Sequence, residues 1–494
     1  MINARTIWIT ALCAAVAWTG LVWLDARRLT SITPQADNAE LAASLDEVMS
    51  VAMRKYSITG AVAGAIRNGE VVWRSREGLA QPDGEPLTGE TSLNLASISK
   101  PLTVWTVLAL AEAGQIELDA PINDYLQRWR LESDRFDPED VTVRRILQHS
   151  AGLNIHGFGG YGPGERVPED VLDLMDSGYE VRLVAEPGTQ WRYSGGGYVL
   201  LQLMIEDVTG ETLDRAAYAL VFHPLGMDST GFDPDRLPIR SAAFAHGGNE
   251  IPSLVDVALT AAGGWSSAED MERFLLAHTN GGGVLNRQSL VALAEPSETR
   301  ESRAMSYTRR SSPGGIILGH GGNNSTWHGQ IYVRPGTGDG FYFFTNTTTG
   351  AQLDIDLSCA WLSWATGRTA GDVCAGELSV TRKLSAVTAG AGIVLILLMA
   401  RLLTNLVSGK RRLSLLPSKS SWPGFIGRML GVAICGLLTA GLAIIFWFDW
   451  IYWRTDVVFL DEIPFREIEW LLPVLPGIFA TLALAFWSSP KARP

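Results

Sequence analysis

Lysine is almost absent from the long central part of this 494-residue chain. Between Lys55 and Lys383 the only lysine is Lys100, and arginine carries the other positive charges there. This scarcity argues against a lysine kept for surface charge alone. A desolvated lysine ammonium can lose its proton, whereas a guanidinium stays charged. Lys100 is therefore a candidate for chemistry that needs a neutral amine.

Cysteine is also scarce, and an excess of basic residues is missing. Four cysteines exclude a disulfide-rich scaffold, and Cys13 and Cys435 lie in apolar segments. Cys359 and Cys374 either close a short loop in an extracytoplasmic domain or remain free thiols. A net charge of −12 argues against a nucleic-acid partner, which favours a basic surface. The seven histidines show no metal-ligand spacing, so we predict no metal and no cofactor, and we interpret His149 as a structural or surface residue.

Long apolar runs are present at both ends of the chain. Each is about as long as a helix that crosses a bilayer, and aromatic residues cluster near the ends of the C-terminal ones. The sequence therefore predicts a signal peptide or membrane anchor over residues 1–28 and three transmembrane helices over residues 385–488. The four apolar segments are Ile7–Leu24, Ala386–Leu403, Leu430–Phe448 and Trp470–Trp487.

Charge in the loops between these segments predicts their orientation. The loop after Leu403 contains five basic residues, which is typical of a cytoplasmic loop, and the next loop is rich in Asp and Glu. The large region before Ala386 is then expected on the periplasmic side of a bacterial inner membrane, next to the lipid bilayer.

The exported region, residues 36–376, reads as one mixed α+β domain. Two apolar runs flank Asn68-Gly69, which is typical of a tight β-hairpin. Further β-rich runs lie near residues 316–345, and the middle of the region is rich in helical patterns. We expect a single antiparallel sheet that unites both ends of the domain, with helices covering it.

The lone lysine lies in the string Ser97-Ile98-Ser99-Lys100, and a helix that ends at Gly114 is predicted to begin at Ser97. Residues three apart share a helical face, so the Lys100 amine can reach the Ser97 hydroxyl. A serine beside a deprotonated lysine is an activated nucleophile. A base that acts near pH 7 requires a lysine pKa lowered by roughly 3 units, which burial can supply.

Two further segments offer partners for such a serine. Tyr193 stands in a glycine-rich turn together with Ser194 and Gly195, and a phenol near a lysine can relay a proton. A strand-like run ends in the string His320-Gly321-Gly322-Asn323, whose glycines let the backbone approach a substrate. The Gly-x-Gly-x-x-Gly match at residues 157–162 is followed at once by Pro163-Gly164, so we predict a loop and not a nucleotide site.

In order and spacing, these three elements resemble the serine hydrolases of the β-lactamase and penicillin-binding superfamily. The similarity is to its class C, DD-peptidase and esterase branch, which is peptidase S12-like. The strings Leu147-Gln-His-Ser-Ala-Gly-Leu153 and Gly263-Gly-Trp-Ser-Ser267 also resemble that family. The arrangement of an exported domain before three spans is similar to membrane-bound peptidases that remove an N-acyl-D-asparagine cap from bacterial prodrugs.

The resemblance implies an acyl-enzyme mechanism without a cofactor. Ser97 would attack a carbonyl, Lys100 and Tyr193 would share the proton transfers, and the Ser97 and Asn323 N–H groups would hold the oxyanion. Residues expected to line the substrate site are Asn94, Ser194, Gly195, His320, Gly321, Gly322 and Asn323.

Three departures from the family leave the substrate open. Gly195 stands where the family usually has asparagine, and His320 replaces the lysine of true β-lactamases. Asn94 stands where the prodrug peptidases have glutamate. Hydrolysis of a peptide or amide, including one with a D-amino acid, competes with ester hydrolysis. The alternative from another class is a non-catalytic envelope-binding module with the same fold.

Overall fold

A computed structural model describes residues 3–25, 28–245 and 248–412, together with residues 474, 475, 477–482, 484, 489 and 490. The chain divides into two compact units. One comprises residues 30–373, and the other comprises residues up to 29 and from 374 onward. The helices are α1 Ala4–Asp25, α2 Asn38–Lys55, α3 Ser99–Glu112, α4 Val143–Leu147, α5 Val171–Asp176, α6 Gly195–Thr209, α7 Leu213–Ala217, α8 Leu259–Ala262, α9 Ala268–Asn280, α10 Arg287–Ala294, α11 Ala351–Thr366, α12 Ala370–Val373 and α13 Ala375–Val407.

Most of the strands belong to residues 30–373. The strands are β1 Gly60–Arg67, β2 Glu70–Gly78, β3 Leu93–Asn94, β4 Ala243–Phe244, β5 Glu250–Ile251, β6 Trp265–Ser266, β7 Thr308–Ser312, β8 Gly315–Asn323, β9 His328–Arg334, β10 Asp339–Thr345, β11 Arg411–Arg412 and β12 Ser489–Pro490. The main sheet of the described residues has six strands in the order β2-β1-β10-β9-β8-β7, and neighbouring strands are antiparallel.

This sheet confirms the prediction that strands from both ends of the domain unite. β1 pairs with β10 from Ala61↔Thr345 to Ile66↔Gly340. Asn68 and Gly69 have φ values of 52° and 81°, which is the left-handed geometry that a tight two-residue hairpin turn requires. The glycine-rich stretch from residue 157 to residue 164 is a loop, as predicted.

The sheet separates two hydrophobic cores because successive strand side chains point to opposite faces. Phe341 and Phe343 pack into the smaller core, which lies against α2 and α11 and contains the buried Trp361. Tyr342 and Phe344 pack into the larger core, to which α3, α6 and α9 contribute. The α+β class with helices on an antiparallel sheet is therefore confirmed.

A capping box fixes the start of α2, which covers the outer face of the sheet. The Glu40 N–H donates to Asp37 Oδ1 at 2.9 Å, and the Asp37 N–H donates to Glu40 Oε2 at 3.2 Å. These two bonds satisfy backbone donors that a helix N-terminus otherwise leaves unpaired.

The unit that contains both chain ends includes the predicted N-terminal segment and the first of the three predicted C-terminal spans. Within the described residues, two helices are long and apolar enough to cross a membrane: Ala4–Trp23 and Ala375–Val407. The second includes the predicted span Ala386–Leu403. The predicted span Leu430–Phe448 lies outside the described residues, as does half of Trp470–Trp487.

The helices α1 and α13 pack against each other. Ile7 and Ala11 of α1 lie against Ala400 of α13. Further along, Trp18 Nε1 donates to the Thr388 carbonyl at 3.3 Å.

Cys359 and Cys374 are both disulfide-bonded, which resolves the choice between a bridge and free thiols.

We predict that Trp361→Ala lowers the free energy of unfolding by about 3–5 kcal/mol, because it removes a large buried ring. The Trp361 ring stacks on Tyr332 with centroids 5.6 Å apart and is fully buried. Denaturant unfolding of the full chain in detergent measures this loss. Val291→Ala is the control, since Val291 is 54% exposed, and a similar loss in both variants would contradict the packing assignment.

Candidate active site

A strained turn connects β3 to α3 and carries Ser97. Ala96 has a φ of 45°, an uncommon conformation for a residue with a side chain. Asn94 Oδ1 accepts the Ala96 N–H at 2.8 Å and holds this turn. The helix begins at Ser99, two residues after the start that the sequence suggested, because Ser97 and Ile98 form the turn. Ser97 is half-buried.

The segment around β6 clamps this turn from the other side. The Leu95 N–H donates to the Gly264 carbonyl at 2.8 Å, and the Gly264 N–H donates to Ser99 Oγ at 2.8 Å. A Cβ at Gly264 would lie 2.8 Å from Ser99 Oγ, so a side chain does not fit there without a shift. This contact explains the pair of glycines before Trp265.

The Lys100 amine lies beside the serine hydroxyl. Its Nζ is 3.3 Å from Ser97 Oγ and donates to the Ala261 carbonyl at 2.6 Å. Lys100 is 2% exposed, and no described carboxylate forms an ion pair with it. Burial lowers the pKa of Lys100 to about 7. An uncharged lysine can accept the serine proton near neutral pH.

Tyr193 brings an aromatic ring to the same amine. The Lys100 Nζ is 4.8 Å from the Tyr193 ring centroid and 5.5 Å from that of Tyr198. Tyr193 is half-buried, between the rings of His149 and His156, whose centroids are 4.4 Å and 4.9 Å away. The structure therefore brings Ser97, Lys100 and Tyr193 together.

Ser194 and Gly195 start α6 directly after this tyrosine. Ser194 Oγ accepts the Gly197 N–H at 2.9 Å as the helix cap and donates to the Asn154 carbonyl at 2.6 Å. A Cβ at Gly195 would lie 3.0 Å from Phe158 Cε2. The loop that contains Phe158 thus occupies the space beside Gly195, where the resemblance leads one to expect an asparagine side chain.

The second half of β8 forms one wall of the site. β7 pairs with β8 only as far as Gly319, so residues 320–323 pair with β9 on one edge alone. A Cβ at Gly322 would lie 2.1 Å from the Leu95 carbonyl oxygen, which shows how closely this edge approaches the serine turn. Gly321 is similarly crowded, because a Cβ there would lie 2.8 Å from Gln330 Oε1.

His320 and Asn323 have defined roles at this edge. His320 Nδ1 contacts the Gly321 carbonyl at 2.7 Å, and burial, together with the charge of Lys100, lowers the pKa of His320 to about 3. His320 is therefore neutral at physiological pH. Asn323 Oδ1 lies 2.9 Å from His328 Nδ1, which fixes the Asn323 side chain.

The Ser97 N–H has no hydrogen-bond acceptor among the residues that the structure describes. It lies on the turn that leads into α3, where the helix dipole favours negative charge. An unpaired N–H at that position is suited to hold a developing oxyanion.

Asn94 is held by hydrogen bonds within the protein. It is 5% exposed, and besides the Ala96 N–H its Oδ1 accepts Asn324 Nδ2 at 3.3 Å. Asn94 also hydrogen-bonds Asp256, whose pKa burial raises to about 7. Asn94 therefore stabilises the turn that carries Ser97.

Two neighbours of the site are not apparent from the sequence. His149, interpreted as a structural or surface residue, is buried against Tyr193. The sequence does contain a signal for this position, because His149 lies in the string Leu147-Gln-His-Ser-Ala-Gly-Leu153, which resembles the family. Asp256 lies in an irregular segment without any such signal. Among the described residues, no group of three or more His, Cys, Asp or Glu side chains is placed to hold a metal ion.

Comparison with known proteins identifies the family. A model of the beta-lactamase family matches residues 45–359. The chain belongs to the beta-lactamase family. It is 36% identical over 227 residues to esterase EstB of Burkholderia gladioli, covering 42% of this chain and 57% of the esterase. It is 30% identical over 200 residues to penicillin-binding protein 4* of Bacillus subtilis (strain 168), covering 39% and 42%. The chain thus spans about half the length of these relatives.

Solved structures show the same fold. The β-lactamase/D-alanine carboxypeptidase from Pseudomonas syringae superposes with a TM-score of 0.54 at 17% identity, covering 66% of this chain and 99% of the other. The octameric penicillin-binding protein homologue from Pyrococcus abyssi gives a TM-score of 0.56 at 20% identity, covering 67% and 78%. The homologues are serine hydrolases, in agreement with the family expected from the sequence motifs.

We predict that Lys100→Met stabilises the fold and that the gain depends on pH. Because the pKa of Lys100 falls from 10.5 to about 7 on folding, the unfolded chain binds more protons between these values. The stability of the wild-type protein therefore rises with pH across that window. The wild type is least stable relative to the methionine variant at pH 7 and below. The gain for the methionine variant should reach roughly 4 kcal/mol at pH 7 and shrink towards pH 10.

Denaturant unfolding of both proteins at several pH values measures this difference. Lys55→Met, which alters a lysine away from the site, should show no comparable pH dependence. A Lys100→Met gain that stays constant from pH 6 to pH 10 would contradict the lowered pKa.

Proposed function

We propose that this protein is a membrane-anchored, extracytoplasmic serine hydrolase that works through an acyl-enzyme on Ser97. The observation that carries the proposal is the buried Lys100 amine, 3.3 Å from Ser97 Oγ and without a described carboxylate partner. A charged amine in that place would be costly to desolvate, whereas a neutral amine is a competent base.

The reaction would proceed in two acyl transfers. Lys100, assisted by Tyr193, takes the Ser97 proton as Oγ bonds to the substrate carbonyl carbon. The Ser97 N–H, with the Asn323 N–H as the partner that the family resemblance implies, holds the oxyanion. The intermediate then expels an amine or alcohol, which receives the proton. Water attacks the acyl-enzyme by the reverse proton transfers and releases the acid and free Ser97.

The substrate class that we propose is a peptide or amide, including one with a D-amino acid, or an ester. Relatives named as an esterase and as penicillin-binding proteins support both chemistries. The neutral His320 and the buried Gly195 differ from the lysine and asparagine of efficient β-lactamases, so β-lactam turnover should be slow.

The bilayer is the second partner that we propose. The two apolar helices of the described chain are able to anchor it, and the basic loop after Leu403 favours a catalytic domain outside the cytoplasm. The disulfide-bonded state of Cys359 and Cys374 supports the same side, because disulfides persist in oxidising compartments.

We expect a fluorophosphonate probe to label the purified full-length protein at Ser97. Ser97→Ala should abolish the adduct, and Lys100→Arg should slow labelling by about 10²–10⁴-fold because a guanidinium does not accept a proton. In-gel fluorescence and mass spectrometry of the labelled peptide provide the measurement.

Lys55→Arg is the matched control and should label at the wild-type rate. A folded wild-type protein that forms no adduct would instead support a non-catalytic binding module. Hydrolysis assays with D-Ala-D-Ala peptides, acyl-D-asparagine amides and p-nitrophenyl esters then separate the substrate classes.

The topology makes an independent prediction. Alkaline phosphatase, which is active only in the periplasm, should be active when fused after Thr369 and inactive when fused after Lys410. The reverse pattern, or activity at both positions, would overturn the proposed orientation. Expression of each fusion protein is compared by immunoblot.

A further inference from the structure

His149 lies in an unusual backbone conformation next to the proposed site. It follows α4, is 4% exposed and has a φ of 58°. A left-handed conformation at a residue with a side chain is uncommon, and such residues persist where the surroundings over-determine them. The His149 carbonyl accepts the Arg192 N–H at 2.7 Å, so its main chain is bonded to the segment that carries Tyr193.

The His149 ring contacts the two tyrosines that surround the Lys100 amine. Its centroid is 4.4 Å from that of Tyr193 and 5.3 Å from that of Tyr198. It also meets Trp191 edge-on at 6.0 Å. The imidazole therefore supports one face of the Tyr193 ring.

A hydrogen bond adds a second restraint on the same segment. The Ser194 N–H donates to His149 Nδ1 at 3.2 Å, which requires an unprotonated Nδ1. Burial lowers the pKa of His149 well below its usual range, and any positive charge on Lys100, His320 or Arg303 acts in the same direction. The imidazole is thus neutral and remains an acceptor at working pH.

We propose that His149 is a positioning residue that holds the Tyr193 ring beside Lys100. Three restraints converge on the segment from Arg192 to Ser194: the main-chain bond, the ring contact and the bond to Nδ1. This inference rests on the proposed function, in which Tyr193 assists the proton transfer. A tyrosine that is free to move would lose alignment with the amine and slow acylation without weakening substrate binding.

His278 provides a matched control within the same domain. It is also a buried histidine, with burial lowering its pKa to about 4, and it bonds to the Phe274 carbonyl at 2.8 Å and to Tyr307 OH at 2.9 Å. Within the described part of the chain, its ring contacts are with Trp105, Phe274 and Tyr307. His278→Gln therefore disturbs a core histidine whose ring partners do not include Tyr193.

Two substitutions separate the restraints at position 149. His149→Asn keeps a short polar acceptor and tolerates the left-handed backbone, but it removes the ring. His149→Phe keeps a ring and removes the acceptor. The asparagine variant retains a foldable protein in case the phenylalanine variant, with its bulky residue at positive φ, does not fold.

Fluorophosphonate labelling kinetics at Ser97 give the first readout. We expect the limiting labelling rate to fall about 10–100-fold in both variants at position 149, with the half-saturating probe concentration little changed. His278→Gln should lower the melting temperature and leave the limiting rate unchanged. Wild-type rates in His149→Asn, or an equal loss in His278→Gln, would overturn the positioning role.

A crystal structure of His149→Asn gives a readout that needs no activity. We expect the Tyr193 ring to shift by more than about 0.5 Å from its wild-type place, the tolerance within which catalytic groups are held. An unmoved ring would overturn the proposal even if the labelling rate fell. If the wild-type protein forms no adduct, the proposed function fails, and the position of Tyr193 still decides the role of His149.

Discussion

The structure of the site depends on one amine that is buried next to a hydroxyl. Taking a lysine out of water penalises its charged form, and here that penalty is not offset by a carboxylate among the described residues. The Lys100 amine donates a hydrogen bond to the Ala261 carbonyl. This neutral acceptor stabilises the charged form of the amine less than a carboxylate would. The burial of Lys100 therefore lowers the stability of the fold, and it also favours a neutral amine beside Ser97.

The neighbouring features follow from the need to hold that pair. The strained Ala96 turn presents Ser97, and Asn94 and Gly264 brace the turn from two sides. The glycines of β8 let the sheet edge come close to Leu95, so that the serine faces an extended backbone. Each of these residues is small or committed to a backbone bond, because a larger one would push the wall away from the nucleophile.

The sequence predicted those parts of the molecule whose signal is local. The Asn68-Gly69 turn, the apolar and β-rich runs that form the sheet, and the spacing of Ser97 and Lys100 are all short-range signals. The predicted start of α3 is two residues too early, since a turn and a first helical turn have similar residue preferences.

Features that depend on tertiary packing were not accessible in this way. The ring contact of His149 with Tyr193 joins residues that are separated by a long segment, which includes α5, and the raised pKa of Asp256 arises only from burial. The bond between the Asn94 side-chain oxygen and the Ala96 N–H is likewise visible only in the folded chain. Of the apolar segments, two form long helices in the described chain.

The pairing of β1 with β10 has a consequence for biogenesis. The centre of the main sheet joins residues 61–66 to residues 340–345, so the sheet cannot close before almost the whole domain has been synthesised. Contacts of such long sequence separation form slowly. In the export route that we propose, a chain with this connectivity would remain open during translocation, and the last strand of the main sheet would emerge shortly before the apolar helix that begins at Ala375. Under the proposed topology, folding of the main sheet would therefore follow export of its strands.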